Sequence, residues 1–126
     1  MPNREHVERF VKMVEAGELV EAMETYYADD ATMQENNEPP RIGLPVLIAH
    51  ERHNIETYGR AKARSLSPPV IDDDRVVIHW EFVSRMADGA VVRIEELAFQ
   101  TWRGDRIATE RFFYDPRQMR PVPAAG

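Results

Sequence analysis

The hydrophobic periodicity of the sequence changes near residue 60, and this change constrains the fold more than any other feature. Before it, apolar residues recur at three- and four-residue intervals, which is typical of amphipathic helices. After it, segments rich in β-branched and aromatic residues are separated by the turn sequences DDD, ADG and GD. Helices followed by a run of strands predict an α+β domain, in which the helices pack on one face of a sheet.

Three helices are predicted in the first half of the chain. Asn3 is a suitable cap for the first helix, and Gly17 is a suitable residue to end it. A second, shorter helix follows, and the ADD sequence at residues 28–30 is predicted to close this helical hairpin. The third helix is predicted to begin at Pro45 and to end before Gly59.

A short strand, ATMQE at residues 31–35, is predicted after the helical hairpin. Its alternation puts Met33 and Glu35 on the same side. A carboxylate enclosed in an apolar cavity has its proton affinity raised by desolvation, and such a group is suited to removing a proton near neutral pH. Glu35 is therefore a candidate general base. The alternative is that Glu35 lies at a solvent-exposed strand end.

The ADG turn between the two longest strands decides which residues share a face of the sheet. A three-residue loop pairs Met86 with Ala90 and puts Trp80, Phe82 and Glu96 on one mostly apolar face. The opposite face then carries charges that can pair across strands. A two-residue turn in the same segment is also allowed, but it would mix the two sets. We therefore predict the three-residue loop.

The last strand follows the GD turn at residues 104–105. The same alternation puts Arg111 and Asp115 on the Trp80 face. A single β-bulge would replace them with Glu110 and the aromatic residues at positions 112 and 114.

Several residues of this predicted face are candidates for chemistry or binding. Glu96 and Arg111 would form a buried ion pair or bind a polar group of a ligand, with a purely structural salt bridge as the alternative. Asp115 would be a second acid/base group, or would only start a turn before Pro116. The residues predicted to contact a ligand through apolar surface are Phe10, Tyr27, Met33, Trp80 and Phe82.

Composition excludes several classes of function. The chain has no cysteine, so disulfides and thiolate chemistry are excluded. Its net charge of −6 argues against binding nucleic acid. His50 and His53 lack the HExxH pattern of a zinc site, and we predict neither a metal nor a cofactor. No segment suits a signal peptide or a membrane span, so a cytoplasmic protein is expected.

The order of "FVKMVEAGELVEAMETYYADDATMQE", "PPRIGLPVLIAH" and three long strands ending in "GDRIATERFFYD" resembles the NTF2-like superfamily, and within it the SnoaL-like polyketide cyclases and ketosteroid isomerases. The resemblance implies a cone-shaped, cystatin-like barrel with three N-terminal helices on a curved, mainly antiparallel sheet. It also implies a homodimer paired through the open sheet face. It extends to Asp115, so we expect one domain at residues 1–115 and a proline-rich tail, extended or frayed, at residues 116–126.

The resemblance also assigns roles to positions. In ketosteroid isomerases the segment similar to ADDATMQE ends in the general base, which is Glu35 here. The two oxyanion donors of those enzymes, a tyrosine and a protonated aspartate, correspond to Phe10 and to Ala98 or a neighbour. Losing one such donor typically costs about 10²–10³ in rate. The SnoaL-like cyclases use an aspartate near the end of the last strand, and Asp115 is the nearest match.

Two functions are thereby implied. The first is binding of a small hydrophobic ligand, a ketone of steroid or polyketide type, with cofactor-free isomerisation or cyclisation. The alternative is a non-catalytic ligand-binding or dimerisation module.

Overall fold

The computed structural model describes residues 2–124, which form three α-helices and seven strands. The helices are α1 (Arg4–Glu15), α2 (Leu19–Tyr26) and α3 (Leu44–Tyr58). The strands are β1 (Tyr27–Glu35), β2 (Arg41–Ile42), β3 (Lys62–Ser65), β4 (Val70–Asp72), β5 (Arg75–Arg85), β6 (Val91–Arg103) and β7 (Arg106–Phe113).

The ends of the helices follow the capping residues of the sequence. The Asn3 side chain accepts a hydrogen bond from the backbone N–H of His6 at 2.8 Å, which satisfies one of the free donors at the start of α1. Gly17 follows α1 with φ +85°, a conformation that favours glycine. Helix α3 begins one residue before Pro45 and ends before Gly59, close to its predicted bounds.

Strand β1 begins four residues earlier than predicted, so the prediction that ADD closes a helical hairpin is wrong. Ala28 and Ala31 are buried, while Asp29 and Asp30 between them are exposed. The pairing of β1 with β7 is irregular between Tyr27 and Thr32, and this irregularity lets two successive aspartates face solvent.

The strands form one curved sheet in the order β2–β1–β7–β6–β5–β3, with β4 also paired to β5. All pairs are antiparallel except β1–β7, which is parallel. The α+β class and the three helices on a mainly antiparallel sheet are confirmed. The sheet is not closed into a barrel, because the short edge strands β2 and β3 lie at opposite ends of the order and do not pair.

The predicted loop between β5 and β6 is confirmed. The backbone N–H of Met86 donates to the carbonyl of Ala90 at 2.7 Å, and Trp80 lies opposite Glu96. The face that carries Trp80 packs towards the helices. Its fully or nearly buried residues on these two strands are Val76, Ile78, Trp80, Ser84, Val92, Ala98, Gln100 and Trp102.

The predicted face of β7 is wrong after Ile107. A register shift between Thr101 and Trp102 pairs Gln100 with Glu110 and Ala98 with Phe112. The residue inserted by this irregularity inverts the alternation of the strand, so Glu110 lies on the buried face and Arg111 on the outer face.

The C-terminal segment is more ordered than the extended or frayed tail that was predicted. Residues Pro116–Met119 form a 3₁₀ helix, and Val122 pairs with Val91 through two backbone hydrogen bonds of 2.7 and 2.8 Å. The Gln118 side chain bonds the backbone N–H and carbonyl of Glu95 at 2.8 and 3.1 Å. This segment runs beside the first half of β6, which β7 does not reach.

Candidate functional site

A cavity of about 150 Å³ lies between the helices and the inner face of the sheet. A cavity of this volume accommodates a small organic molecule about the size of benzene. Its walls are mainly apolar and aromatic. The five residues predicted to contact a ligand all line it: Phe10, Tyr27, Met33, Trp80 and Phe82. The Trp80 and Phe82 rings lie 5.4 Å apart at an interplanar angle of 40°.

Glu35 lines this cavity from the end of β1. Its carboxylate is ion-paired with Arg41, which β2 carries opposite Met33. The Tyr114 hydroxyl donates a hydrogen bond to the other carboxylate oxygen at 3.0 Å. Glu35 is therefore neither a strand-end residue in bulk water nor an unpaired carboxylate. Arg41 is a partner that the sequence did not indicate, because a two-residue strand after two prolines carries almost no periodic signal. Tyr114 lies where the β-bulge alternative for the last strand placed it.

Glu96 lies opposite Trp80 and also faces the cavity. Within residues 2–124 its carboxyl group has no hydrogen-bond or ion-pair partner. Burial raises its pKa to about 8, and the negative charges of Glu110, Glu35 and Glu51 add to the shift. The predicted pairing with Arg111 does not form, since the two side chains lie on opposite faces of the sheet.

Glu51 is a site residue that the sequence analysis did not assign. It lies on α3 and lines the cavity, and burial raises its pKa to about 7. The charge of Glu35 adds to this shift, and that of Arg60 opposes it. Like Glu96, its carboxyl group makes no hydrogen bond to the part of the chain that the structure describes. The helical spacing of the sequence does place Glu51 on the inward-facing stripe of α3, but that position alone assigned it no role.

Glu110, which the sequence offered only through the β-bulge alternative, is buried and lines the cavity. Its carboxyl accepts one hydrogen bond from the Tyr27 hydroxyl and another, of 2.7 Å, from the side-chain N–H of Gln100. The amide oxygen of Gln100 in turn accepts a hydrogen bond of 3.0 Å from the ring N–H of Trp102. Burial raises the pKa of Glu110 to about 7, although both hydrogen bonds oppose the shift. Burial also raises the pKa of Tyr27 well above its usual value. The prediction missed Glu110 because it depended on the register of β7.

Arg111 and Asp115 lie outside the cavity. Arg111 donates to the carbonyl of Asn36 at 2.9 Å, and its guanidinium carbon lies 4.6 Å from the centre of the Phe113 ring. Asp115 is exposed and caps the 3₁₀ helix. Hydrogen bonds from Arg117 lower the pKa of Asp115. Neither residue contributes to the surface around Glu35, because the register shift turned Arg111 outwards and the strand ends before Asp115.

No group of three or more histidine, aspartate or glutamate side chains in residues 2–124 could hold a metal ion. In the same range, none of the helices has both the length and the apolar composition needed to cross a bilayer.

Solved structures define the class of this fold. One, assigned as a SnoaL-like polyketide cyclase from Mesorhizobium loti, is 23% identical and has a TM-score of 0.75, with 90% of this chain and 100% of that chain covered. An NTF2-like protein of unknown function from Burkholderia pseudomallei is 13% identical, with a TM-score of 0.77 and coverages of 94% and 98%. A protein with a ketosteroid isomerase-like fold from Catenulispora acidiphila, in complex with trimethylamine, is 14% identical, with a TM-score of 0.69 and coverages of 79% and 78%. The fold is that of the NTF2-like superfamily.

Residues 7–110 match the model of the SnoaL-like domain, which is most of the sequence. The chain therefore belongs to the SnoaL-like domain family. Among proteins of curated function, no sequence match was found.

Proposed function

We propose that the cavity binds a small, mainly hydrophobic carbonyl compound and transfers a proton on it without a cofactor, as in an isomerisation or cyclisation. The observation that carries this proposal is the presence of carboxyl groups in contrasting environments around one aromatic cavity. Glu35 is ion-paired with Arg41, whereas Glu96 and Glu51 have no such partner and have raised pKa values. Groups whose environments differ in this way can serve as base and acid within one site.

In this proposal Glu35 removes a proton from the carbon next to the carbonyl group, and the electron pair moves to the carbonyl oxygen. A protonated carboxyl, of Glu96 or Glu51, hydrogen-bonds to that oxygen and keeps its own proton. Glu35, now protonated, gives the proton that it removed to the far carbon of the conjugated system, so every carboxyl ends in its starting state. Asp115 was predicted for this last role, but it lies outside the cavity. The apolar walls exclude water, which strengthens these electrostatic interactions.

The experiment is α-proton exchange in D₂O, followed by NMR on a panel of small ketones and enones. Glu35→Gln is expected to abolish enzyme-dependent exchange while ligand binding, measured in the same samples, persists. Glu38→Gln is the matched control, since Glu38 is an exposed carboxylate just beyond β1. Exchange that continues at the wild-type rate in Glu35→Gln would show that Glu35 is not the base.

The second candidate function is a non-catalytic ligand-binding or dimerisation module. It is favoured by Phe10 and Ala98, which cannot donate hydrogen bonds to an oxyanion, and by three exposed apolar residues on the outer face of the sheet. These are Leu97, Phe99 and Phe113, with exposed fractions of 45%, 39% and 42%. We propose that two copies pair through this face. Ligand binding without proton exchange in wild-type protein would favour the module over the enzyme.

A cytoplasmic location and the lack of a nucleic-acid partner, membrane partner or cofactor stay predictions from the sequence.

A further inference from the structure

We propose that the ligand of this cavity carries a positively charged amine group, which is held between the carboxyl groups of Glu51 and Glu96 and against the aromatic walls. This inference rests on one element of the proposed function, namely that the cavity binds a small molecule. It adds the charge of that molecule and does not require that a reaction occurs.

The first argument is the balance of charge around the cavity. Arg41 is the one arginine or lysine among the cavity-lining residues of the described chain, and it is already paired with Glu35. Glu110 is satisfied by Tyr27 and Gln100. The titratable or charged groups that face the site from all surrounding elements are Tyr27, Glu35, Arg41, His50, Glu51, Tyr58, Glu96, Glu110 and Tyr114. Arg60 acts on Glu51 from outside the lining.

The second argument is that Glu51 and Glu96 are left without partners. In residues 2–124, neither carboxyl accepts a hydrogen bond or forms an ion pair, although both side chains are partly buried and line the cavity. Both side chains are partly buried, which disfavours their charged form, and a neutral ligand would disfavour it further by displacing water. A cationic group in the same place would offset this effect, whereas an anionic ligand would be repelled.

The third argument is the nature of the walls. Trp80 lies directly opposite Glu96 on the sheet, and Phe82 and Phe112 continue the aromatic surface. The faces of aromatic rings attract cations, most strongly when the cation is desolvated, and this combination of rings and carboxylates is suited to ammonium groups.

The pair is suited to a single positive charge. With pKa values of about 7 and 8 in the empty cavity, Glu51 and Glu96 are not both ionised at neutral pH. One ionised carboxylate is enough to bind a monocation, and the other carboxyl keeps its proton. That second group remains available for the hydrogen bond to the carbonyl oxygen described above.

The test compares choline with 3,3-dimethyl-1-butanol, its uncharged carbon analogue of nearly the same shape, by NMR titration at equal ionic strength. At pH 8 we expect choline to bind at least tenfold more tightly than the alcohol. Glu51→Gln and Glu96→Gln should each lower the affinity for choline by about three- to tenfold and leave that for the alcohol almost unchanged. The matched controls are Glu56→Gln, on the exposed side of α3, and Glu95→Gln, on the outer face of β6.

A second measurement needs no variant. Choline keeps its charge at every pH, so its affinity should rise between pH 6 and pH 9 as the two carboxyls lose their protons, while the affinity for the alcohol stays constant.

Equal affinity for choline and the alcohol would overturn the amine inference and leave hydrophobic binding in place. Binding of cyclohexanone with no binding of choline would also overturn the amine inference and leave hydrophobic binding in place. If choline, the alcohol and cyclohexanone all fail to bind, the proposed function fails together with the amine inference.

Discussion

At the scale of the residue, Glu96 is a carboxyl surrounded by apolar side chains and by three other glutamates. Its pKa in the folded protein, about 8, lies above the ordinary value of 4.5, so the folded state binds this proton more tightly than the unfolded state does. The resulting stabilisation is complete below about pH 4.5 and is lost as the pH rises towards 8. Glu51 and Glu110 act in the same direction, with pKa values of about 7.

We therefore predict that Glu96→Gln makes the free energy of unfolding less dependent on pH. A tenfold change in proton affinity is worth about 1.4 kcal/mol. The free energy of unfolding of the variant, relative to that of wild type, should therefore rise by on the order of a few kcal/mol between pH 5 and pH 8. Urea denaturation at pH 5, 6.5 and 8 measures this difference. Burial lowers the pKa of His50, so this residue makes the free energy of unfolding rise with pH. Its contribution is present in both variant and wild type and cancels when the two are compared.

The control is Glu56→Gln, an exposed carboxylate on α3, which should keep the wild-type pH dependence. If Glu96→Gln and wild type show the same pH dependence of the free energy of unfolding, burial does not raise the pKa of Glu96.

The Tyr27 hydroxyl donates to the buried carboxyl of Glu110. Tyr27→Phe removes this donor and leaves Glu110 with Gln100 alone, so we expect a loss of about 1–3 kcal/mol in the free energy of unfolding. Chemical denaturation at pH 7 measures it. Tyr26→Phe is the matched control, because the hydroxyl of this adjacent buried tyrosine makes no hydrogen bond within residues 2–124. Equal losses in the two variants would mean that the hydrogen bond to Glu110 does not contribute to the free energy of unfolding.

At the scale of the element, the end of α3 depends on the absence of a side chain at Gly59. Its φ is +85°, and a Cβ atom there would lie 2.5 Å from the backbone carbonyl oxygen of Arg85. Gly59→Ala should therefore combine left-handed strain with a backbone clash and destabilise the fold by roughly 2–4 kcal/mol. Thermal and urea denaturation report the change.

Gly17→Ala separates the two effects. Gly17 has the same φ of +85°, but a Cβ atom there would meet nothing within 4 Å. This variant should lose only about 1 kcal/mol, the cost of the left-handed conformation. Similar losses at the two glycines would show that the strand end at Arg85 moves aside readily.

Elements that carry a local signal could be predicted from the sequence, and elements that depend on pairing could not. The face shared by Trp80 and Glu96 followed from the length of one turn. The β7 face failed because the register shift near Trp102 leaves no mark in residue type, even though a bulge was a recognised alternative. For the same reason Glu110 was missed. The partner of Glu35 was missed because Arg41 reaches it through a strand of two residues.

At the scale of the whole molecule, the outer face of the sheet is the surface on which the proposed homodimer depends. Leu97→Lys would place a charge in the centre of this face, and burying an unpaired charge in an interface is strongly unfavourable. We expect wild-type protein to sediment at twice the mass of the chain and Leu97→Lys at the mass of one chain, in analytical ultracentrifugation at micromolar concentration.

Ile42→Lys is the control for that experiment. Ile42 is 65% exposed but lies on the edge strand β2, outside the proposed interface, so this variant should remain dimeric. A wild-type protein that sediments as a single chain at all accessible concentrations would contradict the dimer.

The register shift between β6 and β7 also sets how negative the cavity lining is. Without it, the alternation of β7 would point Arg111 inwards and Glu110 outwards, and the formal charge of the lining would change by two units through a rearrangement that alters no amino acid. A single-residue insertion or deletion near the turn at residues 104–105 would thus make the lining less negative and weaken the proposed attraction for a cationic ligand. Within this family, the length of that turn would then be a better guide to ligand charge than the overall composition of the chain.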